Sequence, residues 1–143
     1  MSAVTLTTPE LRARVFAFER EMLKLPQVEI PVEHSFFPGG YARTIRVPAG
    51  TEMTGAVHKY PNFNLLVSGE LLIIAEDGPK HLIAPAQFWS PPGVKRVGRM
   101  LTDVVWTTIL ATDLTDVEEI TAKFTCNSEQ EYLAFSAPTL EGK

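Results

Sequence analysis

The run Gly50-Thr51-Glu52-Met53-Thr54-Gly55-Ala56-Val57-His58-Lys59-Tyr60-Pro61-Asn62-Phe63-Asn64-Leu65-Leu66-Val67-Ser68-Gly69 decides the fold. It holds two short stretches of strand-forming texture, 52–58 and 63–67, set between glycine turns. The same texture continues on both sides. Pro38-Gly39-Gly40, Pro48-Ala49-Gly50, Asp77-Gly78-Pro79 and Pro91-Pro92-Gly93 punctuate further stretches at 29–36, 41–47, 70–75, 81–83, 87–89 and 104–111. Short strands spaced about 8–12 residues apart predict an antiparallel sandwich or barrel. Asp77-Gly78 is a hairpin signal between two of them.

Helical signals flank this block. Thr8 is placed to cap a first helix, with Pro9 at its first position and Glu10 against its positive end. Leu11, Val15, Phe18, Met22 and Leu25 form one apolar stripe, closed by Lys24 and broken by Pro26. That stripe packs either on the main body or on another subunit. After Thr112, Thr115-Asp116-Val117-Glu118 matches a capping box with Glu118 at the third helical position. Val117, Ile120 and Phe124 follow as a short apolar face, and Ser128 with Glu131 repeats the cap pattern before Tyr132, Leu133 and Phe135. Residues 137–143 read as a loose tail.

With 143 residues the chain is one domain with room for a full core. Cys126 is the only cysteine, which excludes an intrachain disulfide and a cysteine zinc cluster. The net charge of −4 argues against a general nucleic-acid binder. It is unevenly spread: residues 1–100 balance at +2 and residues 101–143 at −6. The acidic end is either a solvated face or a docking surface for a basic partner. No apolar run approaches a membrane span, and the first eight residues have no signal-peptide pattern.

The turn spacing resembles the two sequence motifs of the cupin superfamily. Gly50, five residues, Ala56-Val57-His58, three residues, Asn62, six residues and Gly69 follow its first motif, with Ala56 in place of a His and Asn62 in place of a Glu. Pro85, five residues, Pro91-Pro92-Gly93, two residues, Arg96, three residues and Met100 follow its second, with Arg96 in the His position and Met100 in the Asn position. The match covers about residues 40–112. It implies a mainly β fold, a single cupin-type jelly-roll β-barrel with an N-terminal helix and short C-terminal helices. The organisation is then an arm and helix at 1–27, the barrel at 28–112, and an acidic helical segment and tail at 113–143.

The family holds a divalent metal through three His and one Glu, positions that map to Ala56, His58, Asn62 and Arg96. Alanine has no donor atom and arginine no lone pair, so one good ligand remains and the expectation is no metal and no cofactor. His58, Asn62 and Arg96 are placed at the barrel mouth by the mapping, with Asn64 on Asn62's side by strand alternation. Two accounts stand. Either these residues bind a ligand, Arg96 with Lys95 clamping a carboxylate or phosphate, or they form a polar core cluster with Arg96 paired to an acidic residue. His34 and His81 are isolated, Ser68 lacks a nucleophile-elbow context, and Trp89 and Trp106 read as core residues. The basic stretch 95–99 could meet the acidic end of another copy.

A narrower resemblance runs over about residues 20–118. Tyr41-Ala42-Arg43-Thr44-Ile45, His58-Lys59, Ser90-Pro91-Pro92-Gly93-Val94-Lys95-Arg96 and Trp106-Thr107-Thr108 are similar to small cupin-like proteins of tailed bacteriophages. It implies a viral protein located in the virion or host cytoplasm. The leading expectation is a non-enzymatic virion or accessory component acting through protein contacts. Its partners are other copies of itself in a dimer or higher assembly and other virion proteins, with no nucleic acid and no membrane. The alternatives are a cupin binding an anionic or sugar-like small molecule through His58, Asn62, Asn64 and Arg96, and a metal-dependent enzyme with atypical ligands.

Overall fold

Pro and Gly residues divide the chain into short extended pieces, and the computed structural model, which describes residues 5–137, shows where they pair. The elements in order are α1 (Thr8–Met22), β1 (Val32–Phe37), β2 (Gly40–Val47), β3 (Glu52–Thr54), β4 (Val57–His58), β5 (Asn62–Ser68) and β6 (Glu70–Ala75). There follow β7 (Gly78–Ile83), β8 (Ala86–Ser90), β9 (Val97–Met100), β10 (Val104–Leu110), α2 (Val117–Phe124), β11 (Thr125–Cys126) and α3 (Glu129–Ser136). One sheet has the order β1-β2-β10-β5-β8, a second β3-β9-β6-β7, and β4 pairs with β11 in a short ribbon; every pairing is antiparallel.

The two larger sheets face each other. Ile45, Val47, Leu66 and Val104 of the first pack with Leu71 and Met100 of the second in one buried cluster. The expected closed barrel is corrected here: the sheets are not closed, and no ladder among the described residues joins their edges. The turns explain this. The chain crosses between sheets at Pro48-Ala49-Gly50, at Ser68-Gly69 and at Ala84-Pro85. Proline lacks a ladder donor, and Gly50 and Gly69 take φ of 84° and 95°, outside extended geometry. Each crossing interrupts hydrogen bonding, leaving two open sheets with a shared interior. The edge strand β7 itself carries Pro79.

Several boundaries move. The expected strand 52–58 is broken, because Gly55 N–H donates to the Arg96 carbonyl (3.0 Å) and β4 turns away to pair with β11. β9, which its Gly98 and Arg99 disguise as a basic loop, is an inner strand between β3 and β6. Trp89 is not a core residue: it is 68% exposed on the outer face of β8, its ring tilted at 55° against Phe63 with centroids 4.8 Å apart. The expected tail lies, beyond Ala137, outside the described residues.

The helices also correct the expectation. The α1 cap is Thr7 rather than Thr8: its hydroxyl accepts from the Glu10 amide (3.2 Å), and Glu10 accepts from the Thr7 amide (2.8 Å). The buried face is Leu11, Arg12, Val15 and Phe16, whereas Phe18 and Leu25 are exposed. Arg12 is tolerated there because it donates to the Gly93 carbonyl (2.9 Å), pairs with Glu129 (3.1 Å) and lies over the Tyr132 ring. The helix thus packs on its own chain, with Phe16 against Val57 and Cys126. Asp116 caps α2, which puts Glu118 at the second helical position, and Ser128 caps α3. The acidic segment is partly used internally, through Glu129 on Arg12 and Glu131 on Lys59.

Gly69 offers a test of the crossing geometry. A Cβ there would lie 2.2 Å from the Asp103 carbonyl oxygen, whereas Gly39, at φ 85°, faces open space. Gly69→Ala is expected to lose about 3 kcal/mol and Gly39→Ala about 1 kcal/mol, the backbone part alone. Urea denaturation of the two variants checks this, and equal losses would overturn the close-approach account.

Candidate functional site

Strand alternation puts one set of side chains on the inner face of each sheet. On β5 these are Asn62, Asn64 and Leu66, all buried, while Phe63, Leu65 and Val67 point outward. The ladders place Ser90 opposite Asn62 and Thr108 opposite Asn64. The result is a cavity of about 540 Å³ between the sheets. Its floor is apolar, with Val47, Leu71, Met100 and Val104, and its other end is polar.

Asn64 organises that polar end. It is 4% exposed, so its amide must be satisfied inside the protein. Its Oδ1 accepts from Thr108 Oγ1 (3.0 Å), Trp106 Nε1 (3.3 Å) and Asn62 Nδ2 (3.3 Å). Its Nδ2 donates to Ser90 Oγ (3.1 Å), which also accepts from Arg96 Nη1 (3.1 Å). Leaving one such group unpaired would cost about 1–3 kcal/mol, and among the described residues no buried side-chain nitrogen or oxygen lacks a partner.

Arg96 reaches this network from the segment before β9. It is half-buried, and burial pulls its pKa down from the usual guanidinium value, with Glu76 opposing. Among the described residues no carboxylate lies within 4.0 Å of it, so the expected acidic partner is replaced by the Ser90 hydroxyl. The expected clamp of Arg96 with Lys95 is also corrected. Adjacent residues of extended chain point opposite ways, and Lys95 turns to α1. Its Nζ bonds Glu19 (2.9 Å) and the Gly55 carbonyl (2.7 Å), over the Phe16 ring.

His58, on β4, also lines the cavity. Burial lowers its pKa below the ordinary histidine value; a hydrogen bond to the Ala56 backbone opposes this and the Arg43 charge adds to it. Arg43 itself is a site residue that the motif does not mark. It sits on the inner side of β2 between Tyr41 and Ile45, reaches solvent and lines the cavity. Alternation in 41–47 was the signal for it. Ser90, Trp106 and Thr108 were likewise missed, because their strands read as apolar or small on both faces. His34 and His81 lie elsewhere, on Tyr41 and Glu70.

Among the solved structures whose fold is similar are the following two. KdgF from a Halomonas species is 15% identical, covering 60% of this chain and 84% of its own, with a TM-score of 0.50. A cupin superfamily protein from Desulfitobacterium hafniense is 11% identical, covering 62% and 83%, also at 0.50. At such identities the likeness shows the fold alone, and the fold is that of the cupins. No protein-family model matches the chain, and no curated protein matches its sequence.

The residues present do not fit the metal of that fold family. Ala56 offers no donor, Asn62 a neutral amide and Arg96 a positive charge that repels a dication. Among the described residues no three His, Cys, Asp or Glu side chains cluster as ligands would.

The lowered pKa of His58 makes a pH prediction. The unfolded chain takes up its proton near pH 6.5, and the folded chain only at lower pH. The neutral ring therefore contributes stability that is present above about pH 6.5 and lost as pH falls through the folded value. Urea denaturation from pH 7.5 to 5 should show this decline, and His58→Gln should flatten it. An unchanged slope in the variant would overturn the assignment.

Proposed function

We propose that the chain is a metal-free, non-enzymatic binding protein for a small organic molecule, anionic or sugar-like, held in the cavity between its sheets. The observation that carries this is the half-buried Arg96 guanidinium at the polar end of that cavity, with a hydroxyl rather than a carboxylate as its partner. The volume of about 540 Å³ lies within the range of known ligand sites, about 300–1,000 Å³. His58, Asn62, Asn64 and Arg96 line it together with Arg43 and Ser90. Nothing there forms a nucleophile and base. Ser90 Oγ is engaged by Asn64 and Arg96, and Cys126 is buried, its thiol pKa raised chiefly by desolvation.

A thermal-shift screen of acids, sugars and alcohols tests this. A saturating ligand stabilises by about 2.7 kcal/mol at a hundredfold excess over Kd. Ala56→Trp, at an exposed position on the cavity lining, should close access and abolish the shift while leaving the ligand-free melting temperature unchanged. No shift from any compound, or a shift that survives Ala56→Trp, would remove the proposal.

A second reading is a phage-encoded virion or accessory component acting through protein contacts, and a different surface supports the protein-contact part of it. The outer face of the five-stranded sheet exposes Phe37, Val67 and Trp89, and Phe63 and Ile109 share a shallow groove with Phe37 and Trp89. Its charges are Glu33 and Arg46, which pair with each other at 2.8 Å. A neutral apolar face of this kind meets its own copy about a two-fold axis without like-charge conflict, so its occupant is a second copy of this chain. Sedimentation equilibrium should give a dimer for the wild type and a monomer for Trp89→Asp. A monomeric wild type at micromolar concentration counts against it.

A further inference from the structure

Resting on the cavity reading above, we propose that the ligand is an amphipathic organic anion, its carboxylate held between Arg96 and Arg43 and its hydrocarbon body laid against Leu71, Met100 and Val104.

The charge inventory of the lining carries this. Its acidic side chain is Glu19, and its basic ones are Arg43, Lys95 and Arg96, with His58 beside them. Glu19 is already neutralised: Lys95 bonds it at 2.9 Å and the Thr54 hydroxyl donates to the same oxygen. Lys95 is spent in the same contact and on the Gly55 carbonyl. The two arginines remain, and among the described residues neither has a carboxylate within 4.0 Å. The cavity therefore holds two arginines without an ion-pair partner, Glu76 acting on Arg96 only from beyond 4.0 Å, in a chain whose net charge is −4.

Donor and acceptor counting separates an anion from a sugar. Asn64 Oδ1 already receives three hydrogen bonds and Ser90 Oγ two. A sugar needs acceptors as well as donors in its site, and these acceptors are filled. What is left over is mainly the donor capacity of the arginines, beside one acceptor, the Asn62 amide oxygen. Arg96 uses one N–H on Ser90, and no buried polar atom among the described residues is unpartnered, so its remaining donors are accessible. A guanidinium fork matches the two oxygens of a carboxylate in one plane.

The other half of the lining sets the rest of the molecule. Ile45, Val47, Leu71, Met100 and Val104 offer no hydrogen bond, so a compact polyanion would leave this surface unfilled. A monoanion with an apolar body satisfies both ends at once. Arg43 is exposed where Arg96 is half-buried, so the charged group sits toward solvent and the body points inward.

Isothermal titration with a matched series tests the assignment: 4-phenylbutanoate, 4-phenylbutanamide and 3-phenylpropyl phosphate. The acid is expected to bind at least about tenfold more tightly than the amide, a difference of about 1.4 kcal/mol. Arg96→Met and Arg43→Met should each weaken the acid about tenfold and the amide by clearly less, and Arg96→Lys should recover only part of the loss. Arg43, being exposed, keeps the test open if Arg96→Met does not fold. An amide binding as tightly as the acid, or an acid preference surviving both arginine variants, overturns the anion assignment and leaves the cavity reading standing. A phosphate ester binding more tightly than the acid overturns the carboxylate choice. No binding by any of the three overturns the proposal, and the broader compound screen then decides whether the cavity reading falls with it.

Discussion

Lys95 carries an ammonium group whose side chain is only 4% exposed, and a charge so placed must find a partner or lose its proton. The partner is Glu19, three helical turns into α1, and much of the architecture follows from that requirement. The ion pair fixes α1 against segment 91–96, and Arg12 reinforces it by bonding Gly93 in the same segment. The helix face that packs is therefore decided by two buried cations as much as by Leu11, Val15 and Phe16. Since Lys95 faces the helix, its neighbour Arg96 faces the cavity. One contact thus positions the helix and neutralises the acidic side chain of the lining, while Arg96 keeps no ion-pair partner.

That arginine stands where the cupin resemblance implies a metal-binding histidine. With Arg96 at that position and Ala56 and Asn62 at two others, the site carries a fixed positive charge in place of a ligand set. The buried amide of Asn64 then finds its partners in Thr108, Trp106, Asn62 and Ser90, hydrogen bonds that tie β5 to β8 and β10. A polar interior of this kind is tolerable because each member is satisfied, and it holds the Ser90 hydroxyl at the right place for Arg96.

Legibility in the sequence divides by range. The corners at Pro48-Ala49-Gly50, Ser68-Gly69 and Asp77-Gly78 were readable because proline and positive-φ glycine act on their own residue. The Ser128 cap was readable for the same reason. β9 was not, because Val97, Gly98, Arg99 and Met100 lack strand texture and are extended by their pairing with β3 and β6. Barrel closure failed as an expectation because it depends on edges far apart in the chain. The face of Trp89 could not be read from Gln87-Phe88-Trp89, where both parities are apolar or neutral; the pairing of Asn62 with Ser90 sets it. Arg43 was within reach of alternation, yet the fate of Lys95 required knowing where α1 lies.

The uneven charge of the chain takes on a different meaning once the folded positions are known. The acidic excess belongs to residues beyond the sheets, where Glu129 and Glu131 pair with Arg12 and Lys59 and Asp113, Asp116, Glu118 and Glu119 are exposed. Two positive charges without an ion-pair partner line the cavity, Arg96 half-buried and Arg43 exposed at its opening to solvent. A diffusing anion meets a mildly repulsive exterior and a local attractive field at Arg43, the more exposed of the two arginines. Selection then falls on molecules whose gain inside outweighs that approach, which requires both an anionic group for the guanidinium pair and enough apolar surface to fill the floor formed by Leu71 and Met100. Bulk charge alone would point to a basic partner; the proposed anion rests instead on the placement of the charges.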